Sequence, residues 1–588
     1  MKRWFCLILS AILLLGLCSG AVLAAEREDI VILYENDVHC AVEGYATLAA
    51  MKQELSQIHD HVGVVSVGDF VQGSSLGAVS QGSYIVELMN MVGYDAIALG
   101  NHEFDYRIDR LMELVSRMET KPVCCNFRQV GSGTSVFEPF TMVSYGDTDI
   151  AYIGVTTPST ISSSSPAQFM AEDGRTYRYT FSGDTLYATV QASIDAAQQA
   201  GAEYIIALSH LGTESVNESW SAQALVENTD GLDVVLDGHS HSVLEEMTLR
   251  DAGGGTVVIS STGTKFAHIG KLTISEGEIE TELVKTELLT KADPAVTERI
   301  AAMEAEYAAL GGRKIGRSEV DLVTHDENGQ RIIRNTETNL GDFCADAFRI
   351  VTGADVGVMN GGGIRESMAA GEVTFNHILS VQPFNNTVVT AKVSGQDLLD
   401  FLELCVMTWP EENGSFQHVS GLTFDMDPSI PSSVVLDENE VFVRVDGPYR
   451  VKNVEILDEK TGIYLPLDVK KSYVVASHNY LLLEQGSGAS MFRDAEILLN
   501  DGMLDVELIE KYIVEHLGGV IGQEYADAQG RIRILDGSAS QVHTVKPGDN
   551  LWNISRKYGC AYGDLLRQNG WIKNPDVILV GWELKIPA

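Results

Sequence analysis

The chain has 588 residues and a formal net charge of −41, with 82 acidic against 41 basic side chains. At roughly 100–200 residues per domain, this length predicts three or more domains, each able to bury a core. The acidic excess argues against a nucleic-acid polymer or an anionic membrane as the partner, but not against a small anionic substrate that meets metal ions or a few arginines.

The first 24 residues have the pattern of a secretory signal peptide. Three residues, Met1-Lys2-Arg3, precede an almost unbroken apolar run from Trp4 to Leu17, and small residues follow. This pattern predicts cleavage after Ala24 and a secreted mature protein. No later segment approaches the ~20 consecutive apolar residues of a transmembrane helix, so we expect no membrane span in the mature chain. Leu17 disfavours lipidation of Cys18, because lipoprotein signals have a small residue there.

The cysteines of the mature chain predict no special chemistry. Six remain after removal of the signal peptide, namely Cys40, Cys124, Cys125, Cys344, Cys405 and Cys560. Six cysteines in so long a chain do not make a disulfide scaffold, and none are spaced as a Cys-x-x-Cys metal site. We interpret the adjacent Cys124 and Cys125 as packed thiols.

Short apolar runs alternate with longer amphipathic stretches between Asp29 and about Lys285. The runs are Ile30–Leu33, Val62–Val67, Ala96–Leu99, Tyr204–Leu208 and Val234–Leu236. Apolar runs of this length between helical patterns indicate buried strands of an α/β domain.

The rest of the chain divides into a helix, a second large region and a small module. Residues 293–311 begin with Asp-Pro, keep a helical period and end at glycine, which predicts one helix that connects two domains. A second α+β region follows to about Asp536. The Gly-Ser-Ala-Ser segment at 537–540 has the composition of a linker.

Metal-ligating side chains follow each predicted strand of the first region within a few residues. They are Asp37 and His39, Asp69, Asn101 and His102, His210, and His239 and His241. The carboxyl ends of strands in an open α/β sheet form its ligand crevice, so we expect these side chains to converge. Mixed carboxylate and imidazole ligands suit Zn²⁺, Mn²⁺, Co or Fe better than Ca²⁺.

The order of these motifs resembles that of the calcineurin-like metallophosphoesterases. They read Asp-x-His at 37–39, Gly-Asp at 68–69, Gly-Asn-His-Glu-x-Asp at 100–105, His-x-Gly at 210–212 and Gly-His-Ser-His at 238–241. The resemblance implies two divalent metal ions. It assigns one ion to Asp37, His39, Asp69 and His241, and the other to Asp69, Asn101, His210 and His239. Asp69 would then bridge the two ions.

The same resemblance implies phosphoester hydrolysis by in-line attack of a metal-bridged hydroxide on phosphorus. It assigns His102 and Asp105 as the catalytic pair, with the imidazole stabilising the phosphoryl group in transfer. An alternative is that Asp105 only caps the helix that follows.

A glycine-rich turn that ends in an arginine lies in the second region. The turn Asn360-Gly361-Gly362-Gly363-Ile364-Arg365 follows the strand-like run Val356–Met359. Glycines let backbone approach a ligand, and an arginine fork suits phosphate, although such a turn can also be only a tight turn. Placed after the metal motifs, this turn resembles one in the substrate-binding domain of secreted bacterial 5′-nucleotidases and 2′,3′-cyclic-nucleotide 2′-phosphodiesterases. The resemblance assigns Asn360, Arg365 and the earlier Arg334 to the substrate.

The resemblance also implies a pocket for the nucleotide base and ribose. Phe384 and Tyr480 occupy the positions of its two aromatics, and Asn386 is a candidate base partner; the alternative is that the two rings are only core. The family has Gly-Gly-Asp-Gly after the second aromatic, whereas this chain has Ser487 in place of that Asp. Serine loses a charge-assisted bond worth roughly 1.5–3 kcal/mol, which weakens the expectation of a ribose site.

The last residues, Val542 to Pro587, resemble a LysM domain. A short strand, a Pro-Gly-Asp turn, two amphipathic helical patterns and a closing strand predict a βααβ unit. The resemblance implies binding to peptidoglycan or another N-acetylglucosamine glycan. With the signal peptide, it implies a bacterial extracytoplasmic protein retained at the cell wall.

We therefore expect α/β and α+β folds. The predicted order is a signal peptide (1–24), a four-layer metallophosphoesterase sandwich (26–290), a connecting helix (291–313), an α+β substrate-binding domain (314–536), a linker (537–541) and LysM (542–588). Because the metals and the base pocket lie in different domains, we also predict a hinge near residues 293–311.

The function predicted first is 5′-nucleotidase activity. Alternatives on the same scaffold are a 2′,3′-cyclic-nucleotide 2′-phosphodiesterase with 3′-nucleotidase activity and a nucleotide-sugar hydrolase. An alternative of a different class is a peptidoglycan-binding protein with a non-catalytic phosphatase scaffold, but no expected ligand is missing. A wall-glycan hydrolase would need paired carboxylates in a glycan cleft, for which the sequence has no motif.

Overall fold

The computed structural model describes residues 29–213, 217–500, 502–535, 541–558, 562–569, 571, 572, 575 and 577–586. The predicted signal peptide, the 537–540 linker segment and Cys560 lie outside these residues. Within them, no helix has the length and apolar character needed to cross a bilayer.

The first domain contains two β-sheets. The first sheet has the strand order Glu278–Lys285, His268–Ser275, Ile30–Glu35, His61–Ser66 and Ala96–Ile97. The second has the order Val243–Arg250, Thr256–Thr262, Val234–Asp237, Tyr204–His210, Thr148–Thr156 and Phe140–Tyr145. The central strands of each sheet pair in parallel. Their carboxyl ends therefore share one edge.

The two sheets pack face to face and carry helices on their outer faces. Successive side chains of a strand point to opposite faces, so Ile32 enters the core between the sheets while Leu33 packs under the outer helices. The helices on the first sheet are Glu43–Leu55, Ser75–Ser80, Ser83–Val92 and Ile108–Arg117, and those on the second are Leu186–Ala200 and Ala222–Glu227. This is a helix–sheet–sheet–helix sandwich.

The helix predicted between the domains spans Pro294–Gly311. The Asp293 carboxylate caps it by accepting from the backbone N–H groups of Ala295 and Val296, both at 2.9 Å. Val296, Ile300 and Met303 pack into the core of the first domain.

The second domain is built on a five-stranded sheet. Its strand order is Gln417–Ser420, Val356–Asn360, Ser472–His478, Val388–Ser394 and Glu496–Leu499. Three smaller sheets adjoin it among the described residues. The first contains the strands Gly371–Thr374, Lys314–Ser318 and Val520–Ile521, and the second contains Ile463–Pro466, Val451–Asp458, Leu422–Met426 and Ile532–Ile534. The third pairs Val434–Leu436 with Phe442–Val445. The helices are Asn339–Thr352, Phe375–Val381, Gly395–Cys405, Asn479–Leu482 and Asp505–Lys511.

The C-terminal module has two antiparallel strands, Gln541–Thr544 and Glu583–Ile586, around the helices Leu551–Tyr558 and Tyr562–Gln568. Its small core includes Leu551, Ile554 and Leu584. The module contacts the second domain through Lys585, whose Nζ donates to Asp425 Oδ2 at 2.8 Å.

The predicted fold class is confirmed, including the four-layer sandwich and the βααβ module. One strand is shorter than predicted, because regular pairing covers only Ala96–Ile97 before the chain turns toward the site. Cys40, Cys124, Cys125, Cys344 and Cys405 are buried free thiols. The domain boundaries and the hinge stay predictions.

Candidate metal centre

The side chains predicted as metal ligands gather at the shared carboxyl edge of the two sheets of the first domain. The first sheet supplies Asp37, His39, Asp69 and Asn101, and the second supplies His210, His239 and His241. Within the described part of the chain, three groups have ligand atoms within 4.8 Å of one another: Asp37, His39 and His241; His39, Asp69 and His102; and Asp37, Asp69 and His210. The convergence expected from the strand ends is therefore present.

The backbone at these positions is held in a strained conformation. Asp37, His39, Asp69, His239 and His241 all have φ between 44° and 76°, in the left-handed region. A residue other than glycine there costs of order 1–3 kcal/mol and persists only when the surroundings impose it. Five such residues in one cluster are typical of a functional site.

Two histidines face each other across the cluster. His39 Nε2 lies 3.0 Å from His241 Nε2, and Asp37 Oδ1 is 3.4 Å from the latter. The other ring nitrogen of His39 contacts the carbonyl oxygen of Gln72 at 2.9 Å and must donate there. In the neutral ring, His39 Nε2 therefore carries a lone pair that points at another imidazole and at a carboxylate. A cation bound between these groups would accept their electron pairs.

A second group of electron-pair donors surrounds His210. Its Nδ1 contacts Val67 O at 2.9 Å, and its buried Nε2 has no hydrogen-bond partner of acceptable geometry among the described residues. Instead this nitrogen faces Asp69 Oδ2 at 3.0 Å and Asp37 Oδ1 at 3.8 Å. Close by, His239 Nδ1 lies 2.9 Å from Asn101 Oδ1. The donor set fits a divalent metal ion bound by nitrogen and oxygen.

Burial shifts the pKa values of several groups in the cluster in the direction that disfavours their charged forms. It raises the pKa of Asp37 to about 7, lowers the pKa of His239 to about 3, and lowers the pKa of His39 and His241 well below their usual value. Neutral imidazoles are the form that binds metal. A bound divalent ion would stabilise the anionic form of a buried carboxylate that resists ionisation.

His102 and Asp105 form a close pair beside the cluster. His102 Nδ1 contacts Asp105 Oδ2 at 2.5 Å, and the backbone N–H of His102 donates to Asp69 Oδ1 at 2.8 Å. Burial opposes charge on the ring, but the Asp105 and Asp69 carboxylates raise the pKa of His102 above its usual value. Asp105 does not cap the following helix, which begins at Ile108 after Arg107.

Glu103 holds two of the ligand loops together, although no role was predicted for it from the sequence. Its buried carboxylate accepts four backbone N–H bonds. The donors are Asp69 at 2.8 Å, Gly100 at 2.6 Å, Phe70 at 2.8 Å and Val71 at 3.2 Å. The only signal in the sequence is its place inside the 100–105 motif.

Asn36 and Asp237 have similar supporting contacts. Asn36 Nδ2 donates to Asp37 Oδ2 at 2.7 Å, and Asp237 Oδ1 accepts from Ser209 Oγ at 2.8 Å, one residue before His210. Both side chains are buried. Asn36 therefore positions the loop that carries Asp37, and Asp237 positions the segment that carries His210. Neither role was predicted from the sequence.

The two predicted phosphate-binding arginines approach the cluster from the second domain. The charge of Arg365 lowers the pKa of His39 and His241, and that of Arg334 acts on His239 and His241. Among the described residues, neither guanidinium forms an ion pair with a carboxylate, whereas the neighbouring Arg331 pairs with Glu412. Arg365 stands over the Phe384 ring, with its Cζ 5.9 Å from the centroid. Both cations are therefore available to an anion at the cluster.

The remaining predicted substrate residues are already in contact with protein groups. Asn360 Oδ1 lies 3.0 Å from His478 Nε2, and its Nδ2 donates to Gly414 O at 3.2 Å. The backbone oxygen of Asn386 accepts from the backbone N–H of the buried Asp505 at 2.9 Å. Both residues thus support the structure of the second domain in this arrangement.

Tyr480 and Ser487 lie together in the second domain. The Ser487 backbone N–H donates to Tyr480 Oη at 2.9 Å, and Ser487 itself has φ of 57°. A Cβ at Gly486 would lie 2.4–2.5 Å from three atoms of the Tyr480 ring, so one ring face is covered by backbone. Only the other face remains for a base. The substrate and metal roles of all these residues stay predictions.

Family models match three parts of the chain. A calcineurin-like phosphoesterase model matches residues 30–243, a 5′-nucleotidase C-terminal domain model matches 314–494, and a LysM domain model matches 543–587.

Individual relatives are similar over most of the chain. A trifunctional nucleotide phosphoesterase of Bacillus subtilis is 24% identical over 91% of this chain, which spans only 36% of that protein. A 5′-nucleotidase of Vibrio parahaemolyticus is 24% identical over 83% of this chain and 89% of its own length. The crystal structure of a 5′-nucleotidase precursor from Thermus thermophilus superposes with a TM-score of 0.70 at 25% identity, covering 86% of this chain and 99% of that one.

Proposed function

We propose that this chain, a metal-dependent phosphoester hydrolase with a calcineurin-like phosphoesterase domain and a 5′-nucleotidase C-terminal domain, removes phosphate from nucleotides outside the cytoplasm. The observation that carries the proposal is the cluster of buried imidazoles and carboxylates whose donor atoms converge at one edge of the two sheets. Arg334 and Arg365, which form no ion pair among the described residues, suit a phosphate.

We assign Asp37, His39, Asp69 and His241 to one metal ion, and Asp69, Asn101, His210 and His239 to the other. Zn²⁺, Mn²⁺, Co²⁺ and Fe all accept this mixed set. Bound there, two divalent ions would lower the pKa of water and neutralise charge on the phosphate. The protein's part is to keep the donors in place, through the contacts of Glu103, Asn36 and Asp237.

His102 is the proposed residue that touches the reacting phosphate. Asp105 accepts from His102 Nδ1, which fixes the ring orientation and leaves Nε2 for a phosphoryl or leaving oxygen. The His102 side chain is 18% exposed, whereas Asp69 and His210 are closed off from solvent. A substrate can therefore reach it. Arg365 and Arg334 would hold the phosphate oxygens by their guanidinium forks.

Ser487 favours a second candidate within the same chemistry, the hydrolysis of 2′,3′-cyclic nucleotides. A nucleoside 5′-monophosphate has two free ribose hydroxyls that a carboxylate at position 487 would bind. A 2′,3′-cyclic phosphodiester has neither hydroxyl free. Replacing the carboxylate by serine therefore costs the cyclic substrate less than it costs AMP.

Assays on AMP, 2′,3′-cyclic AMP and UDP-glucose test these proposals. We expect hydrolysis of at least one, loss on chelation, and recovery with Mn²⁺, Zn²⁺ or Co²⁺. Asp69→Ala and His102→Ala should abolish it, whereas Asp494→Asn, at an exposed ion pair with Arg175, should not. Inactivity of the metal-loaded protein on all three substrates refutes the proposal, as does activity that survives Asp69→Ala.

We also propose that the C-terminal module retains the protein at the cell wall after secretion. It has an open groove of about 480 Å³, lined by Asp549, Asn550, Leu551, Trp552, Tyr562, Pro575, Val577 and Ile578. Trp552 is 58% exposed and can stack on a sugar face. Co-sedimentation with peptidoglycan is the test. Trp552→Ala should lose it with unchanged phosphatase activity, and equal sedimentation of the variant contradicts the assignment.

A further inference from the structure

Three consecutive serines, Ser163–Ser165, connect the second domain to the His102–Asp105 pair. We call them the serine bridge. The outer two contact the second domain, because Ser163 O accepts from Tyr480 Oη at 2.9 Å and Ser165 Oγ donates to Glu484 Oε2 at 2.5 Å. The middle serine faces the other way. Its Oγ donates to Asn101 O at 2.9 Å and lies 3.4 Å from Asp105 Oδ1.

Glu484 is the main contact of the second domain on this bridge. Its side chain is buried, and both of its carboxylate oxygens are engaged. One accepts from the Arg107 guanidinium and, at 2.7 Å, from Asn479 Nδ2, while the other accepts from Ser165. Its backbone oxygen also accepts from Ala167 N at 3.1 Å. Three of these four donors belong to the first domain.

The bridge has little freedom to absorb a displacement. Ser164 and Ser165 are buried, and the backbone N–H groups of Ser163 and Ser164 donate to Ser159 O at 2.8 Å and Thr160 O at 3.0 Å. Arg107, the other partner of Glu484, is only two residues from Asp105 and has φ of 76°. A displacement of Glu484 would therefore move Ser165, which is next to the serine that contacts Asp105, and Arg107, which is two residues after Asp105 in the chain.

We propose that Glu484 is a positioning residue for the His102–Asp105 pair, acting through Ser165 and Arg107. The pair would be aligned only when the second domain, which carries the substrate residues, is seated on the first. This inference rests on the proposed phosphatase function. It distinguishes Glu484 from the exposed ion pair of Arg175 with Asp494, which also joins the two domains but shares no residue with the serine bridge.

The test compares Glu484→Gln and Ser165→Ala with the matched control Asp494→Asn in the full-length, metal-loaded protein. Steady-state kinetics are measured on AMP and on p-nitrophenyl phosphate, which has no base or ribose. Losing one hydrogen bond to a charged group should lower kcat about tenfold on both substrates. Bound metal and KM for p-nitrophenyl phosphate should not change. The loss in the double variant should be smaller than the product of the two single losses, since both changes act on the shared contact between Glu484 and Ser165.

A different result separates positioning from a merely structural role. An increase in KM for AMP alone, with kcat unchanged on both substrates, would overturn the inference, as would an equal loss of kcat in Asp494→Asn. Thermal melting identifies a variant that fails to fold, in which case Ser165→Ala, the smaller change, decides the question. Wild-type protein that hydrolyses none of AMP, p-nitrophenyl phosphate, 2′,3′-cyclic AMP and UDP-glucose would instead refute the proposed function itself.

Discussion

Replacing Glu103 by glutamine tests how the metal-binding loops are held. The carboxylate accepts four backbone N–H bonds, two on each oxygen, from the segments that contain Asp69 and Gly100. Glutamine keeps one acceptor oxygen and turns an NH₂ group toward the other two donors. At about 1.5–3 kcal/mol for each hydrogen bond to a charged group, two lost bonds cost about 3–6 kcal/mol. Removal of a buried charge offsets part of this.

Loss of these hydrogen bonds should displace Asp69 and Asn101, which are proposed metal ligands. Contacts that orient metal ligands are typically worth roughly 10–100-fold in metal affinity or activity, so we expect a decrease of that size in metal affinity and kcat. Metal titration followed by calorimetry, together with urea unfolding of the metal-free protein, measures both effects.

A matched control is available in the second domain. The buried Glu403 accepts backbone N–H bonds from Arg450 and Val451, both at 2.9 Å, and contacts no residue of the metal cluster. Glu403→Gln should lower the free energy of unfolding and leave metal affinity unchanged. If Glu103→Gln binds metal as tightly as the wild type, the positioning role that we give to Glu103 is wrong.

Three further predictions address the site, the substrate and pH. Gly100→Ala would place a Cβ 2.2 Å from Asp69 Oδ1, so bound metal measured by mass spectrometry should fall; full occupancy would refute this reasoning. Ser487→Asp should lower KM for AMP about tenfold without improving 2′,3′-cyclic AMP, and an equal change on both substrates would argue against a ribose contact. Burial raises the pKa of Asp505 to about 8. The folded chain then holds a proton that the unfolded chain releases, so this group's contribution to the free energy of unfolding falls between about pH 4 and 8. Asp505→Asn should make urea-measured stability fall less steeply with pH, and parallel curves would contradict the assignment.

The ligand cluster could be predicted from the sequence because its signals are local. A buried parallel strand is a short apolar run, and the residue that follows it must lie at the carboxyl edge of the sheet. Asp37, Asp69, His210 and His239 each follow such a run, so their convergence needed no knowledge of helix packing. The left-handed backbone at Asp37 or His241 has no comparable signal, because neither residue type requires it.

The contacts that support the cluster could not be predicted in the same way. Glu103 bonds to backbone N–H groups 32–34 positions away, and Glu484 to Ser165 319 positions away. Backbone donors leave no trace in residue type, and the serine bridge reads as an ordinary polar loop. Which face of the Tyr480 ring is covered likewise depends on where the Gly486 backbone lies, and the sequence does not indicate this position.

Metal stoichiometry tests the central claim most directly. Purified protein, loaded with Mn²⁺ or Zn²⁺ and dialysed, is measured by inductively coupled plasma mass spectrometry beside Asp69→Ala, with AMP hydrolysis followed on the same samples. We predict two ions per active wild-type chain, with loss of bound metal and of hydrolysis in the variant. Hydrolysis by a chain that holds no metal, or two ions retained by a fully active Asp69→Ala variant, would contradict the account.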